Sequence, residues 1–190
     1  MSYNPITVNA LDAPPSTTTI IGTNLIEQAV EASRRSSRKR IILPLHKRPD
    51  SSLHRMLNAI QPYSYIQPHR HLHPPKAESI IILQGAILSF VFSATGEVQE
   101  VQVIAAGSSS FGIDSEPGIF HTFVSLQEDT VLFEVKPGPY EPGSDKDFAV
   151  WAPRENSPDA KGYIASLYSF ADRFGWKIPK QVASSGEPSL

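Results

Sequence analysis

The sequence has no cysteine among its 190 residues, so disulfide scaffolds, thiolate metal sites and cysteine nucleophiles are excluded. It also lacks a strong net charge, since 17 Lys and Arg against 19 Asp and Glu leave −2. No apolar run approaches the roughly 20 residues of a transmembrane helix, and no basic-then-apolar signal pattern stands at the N-terminus. We therefore expect a cytoplasmic protein whose partners include neither nucleic acid nor a membrane.

One basic stretch, RRSSRKR at residues 34–40, departs from this even balance of charge. Aromatic residues are not interleaved with it, as they often are on surfaces that bind nucleic acid. We interpret the stretch as the end of a short helix or as a solvated face of the protein.

Proline and glycine are plentiful, at 17 and 11 residues, which is typical of a chain with many turns and short strands. Between residues 40 and 135, runs rich in Ile, Val and Phe have about the length of strands and are bounded by Pro, Gly, Asp or Ser. Thr95-Gly96 stands between two of these runs and predicts a hairpin turn. No long helical pattern interrupts them, so an antiparallel sandwich or barrel is predicted over residues 40–135.

Helical patterns flank this β-rich region on both sides. Asn24 and Glu27 predict a capping box at the start of a short helix. Ser157-Pro158 predicts the start of a second helix. Apolar residues at helical spacing indicate that this second helix packs on the barrel, and they are Ala160, Ile164, Leu167, Tyr168 and Ala171.

The chain therefore divides into three parts. Residues 1–22 are polar and rich in Pro and Thr, and we expect a flexible tail in which TTTII at 17–21 adds one strand. Residues 23–153 form the β domain with its N-terminal helix. Residues 154–190 form the C-terminal helix and a polar tail.

Histidines carry the clearest chemical signal. Three of the six lie within PHRHLHPP, as His69, His71 and His73, and Glu78 and His121 follow. Residues i and i+2 of a strand project from one face, so His69 and His71 can point together into a barrel. Imidazole and carboxylate groups suit Zn, Fe, Mn or Ni, and a residue of a neighbouring strand can complete the set. The pattern predicts a site for one divalent transition metal ion.

These residues also carry a family resemblance. The order Tyr63-x5-His69-x-His71-x6-Glu78-x6-Gly85 resembles the first cupin motif, and Gly118-x2-His121 resembles the second. Over residues 34–153 the chain resembles more closely the WbuC-type cupin metalloproteins, through the strings HRMLNAIQPYSYIQPHRH, PPKAES, GIFHTFVSL, VLFEVKPGPY and KDFAVWAP.

The resemblance implies a mostly β fold, the cupin double-stranded β-helix or jelly-roll-like barrel. It implies that His69, His71, Glu78 and His121 bind the metal ion. Proteins of the WbuC type occur in bacterial surface-polysaccharide gene clusters, which implies a small, sugar-related substrate. Because cupins often pair through a sheet or through exchanged terminal strands, we also expect a homodimer.

The sequence departs from the first cupin motif at two points. Tyr63 stands where the first motif has a glycine, and six residues separate His71 from Glu78 instead of three or four. Choosing His71 and His73 as the pair would restore a gap of four. We prefer His69 and His71, because the string YSYIQP then keeps the family's spacing, and His73 stays the alternate ligand.

Charged residues near these motifs are candidates for binding a substrate. Arg55 could hold an anionic group, with Lys76 at the mouth of the barrel, whereas alternation places Arg70 opposite His69 and His71. Glu134 alternates with apolar neighbours and is a second candidate for the pocket.

Two functions remain open at this point. The first is a metal-dependent enzyme, an isomerase, epimerase or oxygenase, that acts on a small anionic or sugar-like molecule. The second is a non-catalytic cupin that binds a sugar or another small ligand. A cupin sensor of a transcription factor is disfavoured, because no helix-turn-helix pattern is present.

Overall fold

A computed structural model describes residues 9–177 and residue 179. Within these residues the chain forms two α-helices, ten β-strands and a short 3-10 helix at Ala171–Phe174. The helices are α1 (Thr23–Arg35) and α2 (Ala160–Tyr168). The strands are β1 (Arg40–Pro44), β2 (Leu53–Ile60), β3 (His69–Arg70), β4 (Glu78–Gln84), β5 (Ala86–Phe92), β6 (Val98–Ala105), β7 (Gly112–Ser115), β8 (Phe120–Ser125), β9 (Thr130–Pro137) and β10 (Asp147–Phe148).

The strands form two five-stranded sheets. The first sheet has the order β1-β2-β9-β4-β7 and the second sheet has the order β10-β3-β8-β5-β6. Neighbouring strands pair antiparallel in both sheets. The chain thus has the cupin double-stranded β-helix that was expected, with a helix before it and a helix after it. The predicted hairpin is also confirmed, because β5 and β6 are joined through Gly96, whose φ is 92°.

The interior of the barrel is apolar in one half. Inward-facing residues of both sheets meet there and are almost fully buried. They are Ile60, Ile80, Ile82, Ile87, Ile104, Phe123 and Leu132. Burial of each such side chain contributes about 1.5–3 kcal/mol, so this half holds the two sheets together. Polar side chains fill the other half.

Helix α1 packs on the outer face of the first sheet, over β1 and β2. Its N-cap is Gly22, whose carbonyl accepts hydrogen bonds from the amides of Leu25 and Ile26, each at 3.1 Å. The predicted capping box of Asn24 and Glu27 is therefore wrong. The helix begins one residue before Asn24, which places the Asn24 side chain inside the first turn, where it cannot act as a cap.

Helix α2 packs on the outer face of the second sheet, as its apolar spacing predicts. Ile164, Leu167 and Tyr168 are buried in a cluster with Leu88, Phe90 and Val124. The helix starts at Ala160 after an N-cap at Asp159, so the predicted start at Ser157-Pro158 lies too early. No helix of the described residues is long and apolar enough to span a membrane.

The segment before α1 differs from the expectation of a strand at residues 17–21. That segment is irregular, and Ile20 is 86% exposed. Instead, Ala10 forms an isolated parallel bridge with Ile42 of β1, and the Leu11 amide donates to the Ile42 carbonyl at 2.8 Å. The rest of the two predicted tails, residues 1–8, 178 and 180–190, lies outside the described residues.

The basic stretch at residues 34–40 is not simply solvated. Arg34 closes α1, as predicted, and binds Asp129. Arg38 and Arg40 both bind the Glu155 carboxylate, at 2.8 and 2.7 Å. Burial lowers the pKa of Arg40 to about 10, although Glu155 acts in the opposite direction. The stretch therefore ties β1 to the segment that leads into α2.

We expect Glu155→Gln to destabilise the protein by about 2 kcal/mol at pH 7, because the largely buried Arg40 loses its charged partner. Burial raises the pKa of Glu155, but the hydrogen bond from Arg38 and the charge of Arg40 outweigh this and lower it. A carboxyl group with a depressed pKa stabilises the folded state above its unfolded pKa and loses that contribution as the pH falls through its folded pKa.

The deficit of the variant should therefore shrink in acid. Urea unfolding of the wild type and Glu155→Gln between about pH 3 and pH 7 measures it. Glu128→Gln removes an exposed carboxylate and serves as the control. A deficit that stays constant over this range would contradict the ion-pair explanation.

Candidate metal centre

Strand β3 brings two of the histidines into the barrel. His69 lies directly opposite His121 of β8 in the register of the second sheet. Arg70 points to the other face, as predicted, where its Nε donates to the Asp147 carboxylate at 2.7 Å. The strand ends at Arg70, but His71 follows it immediately and turns inward with His69, so alternation holds across this short strand.

The three histidines form a buried cluster. His69, His71 and His121 are 4%, 1% and 7% exposed. A ring nitrogen of each lies within 4.8 Å of a ring nitrogen of the others. Three imidazoles gathered in this way could bind a metal ion.

Backbone carbonyls fix the orientation of all three rings. Each Nδ1 lies within hydrogen-bonding distance of a carbonyl oxygen: that of His69 contacts Gln67 at 3.0 Å, that of His121 contacts Ile119 at 2.9 Å, and that of His71 contacts Asp145. A carbonyl only accepts, so each ring carries its proton on Nδ1. The Nε2 lone pairs are therefore left to face the centre of the cluster, which is the usual arrangement of histidine ligands.

The Glu78 carboxylate completes this group from the first sheet. It is 6% exposed and lies 3.6 Å from Nε2 of His71 and 3.2 Å from Nε2 of His121. Even so, both of these Nε2 atoms are buried without a properly directed hydrogen-bond partner in the described part of the chain. Lone pairs of nitrogen and oxygen that face one another in the interior need a cation between them. These residues therefore fit a bound metal ion.

Charges around the cluster favour its metal-binding forms. Burial raises the pKa of Glu78. In the metal-free protein, contacts with His121 and His71, whose Nε2 atoms can take up a proton there, and the charge of Lys136 outweigh burial and lower the pKa well below its usual range. Burial lowers the pKa of His69 well below its usual range, and the nearby Lys146 ammonium adds to the effect.

His121 responds differently. Burial lowers its pKa, but the adjacent Glu78 carboxylate outweighs burial and raises it overall. In the metal-free protein a proton on His121 therefore competes with a metal ion for this position.

The alternate ligand His73 does not join the cluster. It is exposed in the turn that follows Leu72, whereas His71 is buried. The structure thus brings together His69, His71, Glu78 and His121 and leaves His73 outside.

Arg55 lies on the wrong face of the first sheet for the role expected of it. On β2, His54 and Met56 are buried in the interior, so the side chain between them points outward. Arg55 is exposed and lines an outer cleft together with Lys47 and Phe133. The expectation that Arg55 anchors a ligand in the barrel is corrected on this ground.

Glu134 does face the interior. It accepts a hydrogen bond from the Asn58 amide at 2.6 Å and pairs with the Lys136 ammonium at 3.1 Å. Burial, and then the charge of Glu78, raise its pKa. Lys76 is also buried, but its ammonium is already bound to Asp145 and to the Pro139 carbonyl.

Three further residues of this half of the barrel were not expected from the sequence: Lys136, Asp145 and Lys146. Lys136 lies within 3.1–3.7 Å of three carboxylates. The inward direction of the Lys136 side chain could have been predicted from the sequence, because Lys136 alternates with apolar residues along β9 just as Glu134 does. Asp145 and Lys146 follow a Pro- and Gly-rich segment without periodicity, so no sequence signal placed them here.

A family model described as "Domain of unknown function (DUF6016)" matches residues 21–104. The match covers less than half of the chain, including His69, His71 and Glu78 but not His121. No curated protein matches the sequence.

Several solved structures are similar to the chain at low identity. The capsular polysaccharide assembling protein CapF of Staphylococcus aureus is 18% identical over 56% of this chain and 28% of its own, with a TM-score of 0.45. KdgF from a Halomonas species is 16% identical over 55% of this chain and 80% of its own, with a TM-score of 0.41. A variant of Bacillus subtilis oxalate decarboxylase is 16% identical over 73% and 33%, with a TM-score of 0.43.

The chain thus spans about a third or less of the CapF and decarboxylase chains. Sequence identities of 16–18% and TM-scores below 0.5 assign neither an activity nor a substrate to this protein. The closer resemblance to the WbuC type is not confirmed by these comparisons.

We expect His71→Ala and His121→Ala each to weaken binding of a divalent transition metal by more than about 100-fold, beyond the loss typical of a residue that only supports a ligand. Each change removes one of the converging Nε2 atoms. Elemental analysis of protein purified without a His-tag measures this. His73→Ala is the matched control and should keep its metal. Unchanged metal content in both ligand variants would refute the site, and loss in His73→Ala alone would establish the alternate pair.

Proposed function

We propose that the protein binds one divalent transition metal ion through His69, His71, Glu78 and His121. We further propose that it is an enzyme that isomerises, epimerises or oxygenates a small, anionic, sugar-related molecule. The observation that carries the metal site is the pair of buried Nε2 atoms, on His71 and His121, that face the Glu78 carboxylate without a hydrogen bond. A divalent ion held there supplies a Lewis acid for a bound oxygen atom.

The charges around the cluster support an anionic ligand. Three carboxylates and three lysine ammonium groups surround it and balance one another: Glu78, Glu134 and Asp145 against Lys76, Lys136 and Lys146. A divalent cation brings this half of the barrel to a net charge near +2. In an interior of low dielectric constant, an anionic or strongly polar oxygen ligand is then favoured.

Lys146 takes over the anchoring role first expected of Arg55. Asp147 of β10 pairs with Arg70 on the outer face, so alternation turns Lys146 toward the histidines. Its charge acts on the pKa values of both His69 and His121. Among residues 9–177, no hydrogen bond or ion pair to its ammonium is found.

The ligand would enter beside β10. Phe148 is half-exposed, and its ring lies 6.0 Å from the His69 ring. The same side chain lines a cleft of about 530 Å³, a volume suited to a small molecule. Phe148 thus lies close to His69 and also lines the cleft.

A non-catalytic ligand-binding cupin is the second candidate. The deep burial of the cluster favours it, since none of the three histidines is more than 7% exposed. The link to surface polysaccharides rests on the WbuC-type resemblance alone. Turnover of a ligand that the metal-loaded protein binds would decide for the enzyme.

We expect Lys146→Ala to weaken binding of an anionic ligand to the metal-loaded protein by about 10-fold, the effect of losing one charge-assisted hydrogen bond. Arg55→Ala is the matched control, because it removes a cation on the opposite face. Calorimetry against sugar acids, nucleotide sugars and apolar acids measures both variants. If Lys146→Ala binds anions as tightly as the wild type, or if Arg55→Ala alone loses affinity, the anchor is assigned wrongly. If only apolar acids bind, the ligand is not sugar-related.

We also propose that the protein is a homodimer. Helix α1 covers β1 and β2, but apolar side chains at the other end of the first sheet stay exposed. Ile81 is 38%, Leu83 36% and Phe111 53% exposed. Beside them, β7 is the last strand of this sheet within the described residues. Neighbouring exposed apolar residues at a sheet edge are typical of a protein–protein contact.

We expect light scattering to give the mass of a dimer and Ile81→Lys to shift the protein toward the monomer. The added charge would be buried without a partner in such an interface. Val98→Lys alters a side chain of equal exposure on the second sheet and is the control. The monomer mass at all concentrations, for the wild type, would refute the dimer.

A further inference from the structure

Asp145 is held between two buried lysines. Its Oδ1 accepts from the Lys76 ammonium at 2.9 Å, and its Oδ2 lies 3.4 Å from the Lys136 ammonium. The side chains of Asp145, Lys76 and Lys136 are 4%, 3% and 7% exposed. A carboxylate fixed on both oxygen atoms in the interior has little freedom to move.

The backbone of the same residue contacts the histidine cluster. The Asp145 carbonyl accepts the hydrogen bond from Nδ1 of His71. His69 and His121 obtain theirs from Gln67 and Ile119, each two residues away in sequence. His71 instead depends on a residue 74 positions along the chain. The orientation of its ring therefore depends on how firmly the segment 138–146 is held.

Lysines hold that segment at two points. Lys76 donates to the Pro139 carbonyl at 2.7 Å as well as to Asp145. The Lys136 ammonium, which pairs with Asp145, also lies 3.7 Å from the Glu78 carboxylate. One set of buried charges thus links the segment 138–146 to the two cluster residues His71 and Glu78.

We propose that Asp145 is a positioning residue of the metal centre, whose carboxylate, clamped by Lys76 and Lys136, holds the carbonyl that orients His71. The inference rests on the proposed function, because it assigns Asp145 a role in that site. Without the clamp the His71 ring is free to rotate or to move its proton to Nε2, which removes the lone pair that a metal ion needs.

The decisive measurement is made on metal-free protein, so that it does not depend on metal binding. Nitrogen-15 NMR of the imidazole rings reports which nitrogen carries the proton. In the wild type, His71 should show the single tautomer protonated on Nδ1. In Asp145→Asn, where an amide NH₂ replaces an oxygen that faces an ammonium group, His71 should become a mixture of tautomers. The signals of His69 and His121 should stay as they are in the wild type.

The matched control is Asp147→Asn. It changes the aspartate two residues on, whose ion pair with Arg70 lies on the outer face. This variant should leave the His71 signals unchanged. Retention of a single Nδ1–H tautomer by His71 in Asp145→Asn, or its absence from the wild type, would overturn the proposal.

A second arm separates this inference from the proposed function. Titration with Co²⁺, followed by its visible spectrum, should show binding by the wild type and about 10- to 100-fold weaker binding by Asp145→Asn, with a changed spectrum. A wild type that binds no Co²⁺ refutes the metal site, while the NMR result still decides whether Asp145 positions His71. Wild-type Co²⁺ affinity in Asp145→Asn counts against the proposal.

Should Asp145→Asn fail to fold, Lys76→Met takes its place. Methionine keeps most of the volume of the lysine stem but removes one side of the clamp and leaves Lys136 paired with Asp145. The same change in the His71 tautomer is expected, and its absence in a folded Lys76→Met protein would also overturn the proposal.

Discussion

The buried ammonium of Lys136 lies within 3.7 Å of the carboxylates of Glu78, Glu134 and Asp145. Charges removed from water are tolerated only when they are paired and hydrogen-bonded, and losing one partner of such a group costs several kcal/mol. This half of the barrel therefore contributes little net stability. The stability of the barrel comes from the apolar half. What the charged half does provide is a fixed geometry, because each of its members restrains the others.

That geometry explains how the site is assembled from distant parts of the chain. Glu78 and Lys136 come from the first sheet, His69 and His121 from the second, and Asp145 from the segment that joins the two. Both sheets must therefore be in register before the lone pairs converge. The cluster is a property of the closed barrel, because no local segment contains enough of it to bind a metal ion.

Much of this could be predicted from the sequence, and the misses have physical causes. Runs of β-branched residues between turn formers predicted the barrel, and the spacing of His69 and His71 predicted a shared face. The face of Arg55 could not be predicted, because β2 is buried on both sides, under α1 and in the interior. Its apolar residues, such as Leu57, therefore lack the alternation that reveals which side points inward. The short strands β3, β7 and β10 lack such a pattern altogether.

Tyr63, which stands where the cupin pattern has a glycine, links the C-terminal helix to the histidine cluster. Tyr63 has φ 63°, a left-handed conformation that costs a non-glycine residue about 1–2 kcal/mol. Its amide donates to the Tyr168 hydroxyl at 3.0 Å, and that hydroxyl donates to the Ser125 carbonyl of β8 at 2.7 Å. Helix α2 thereby holds the turn that leads into His69 and ties it to the strand that carries His121. The helix belongs to the same structural unit as the site, since it offsets the strain of the turn that aims the histidines.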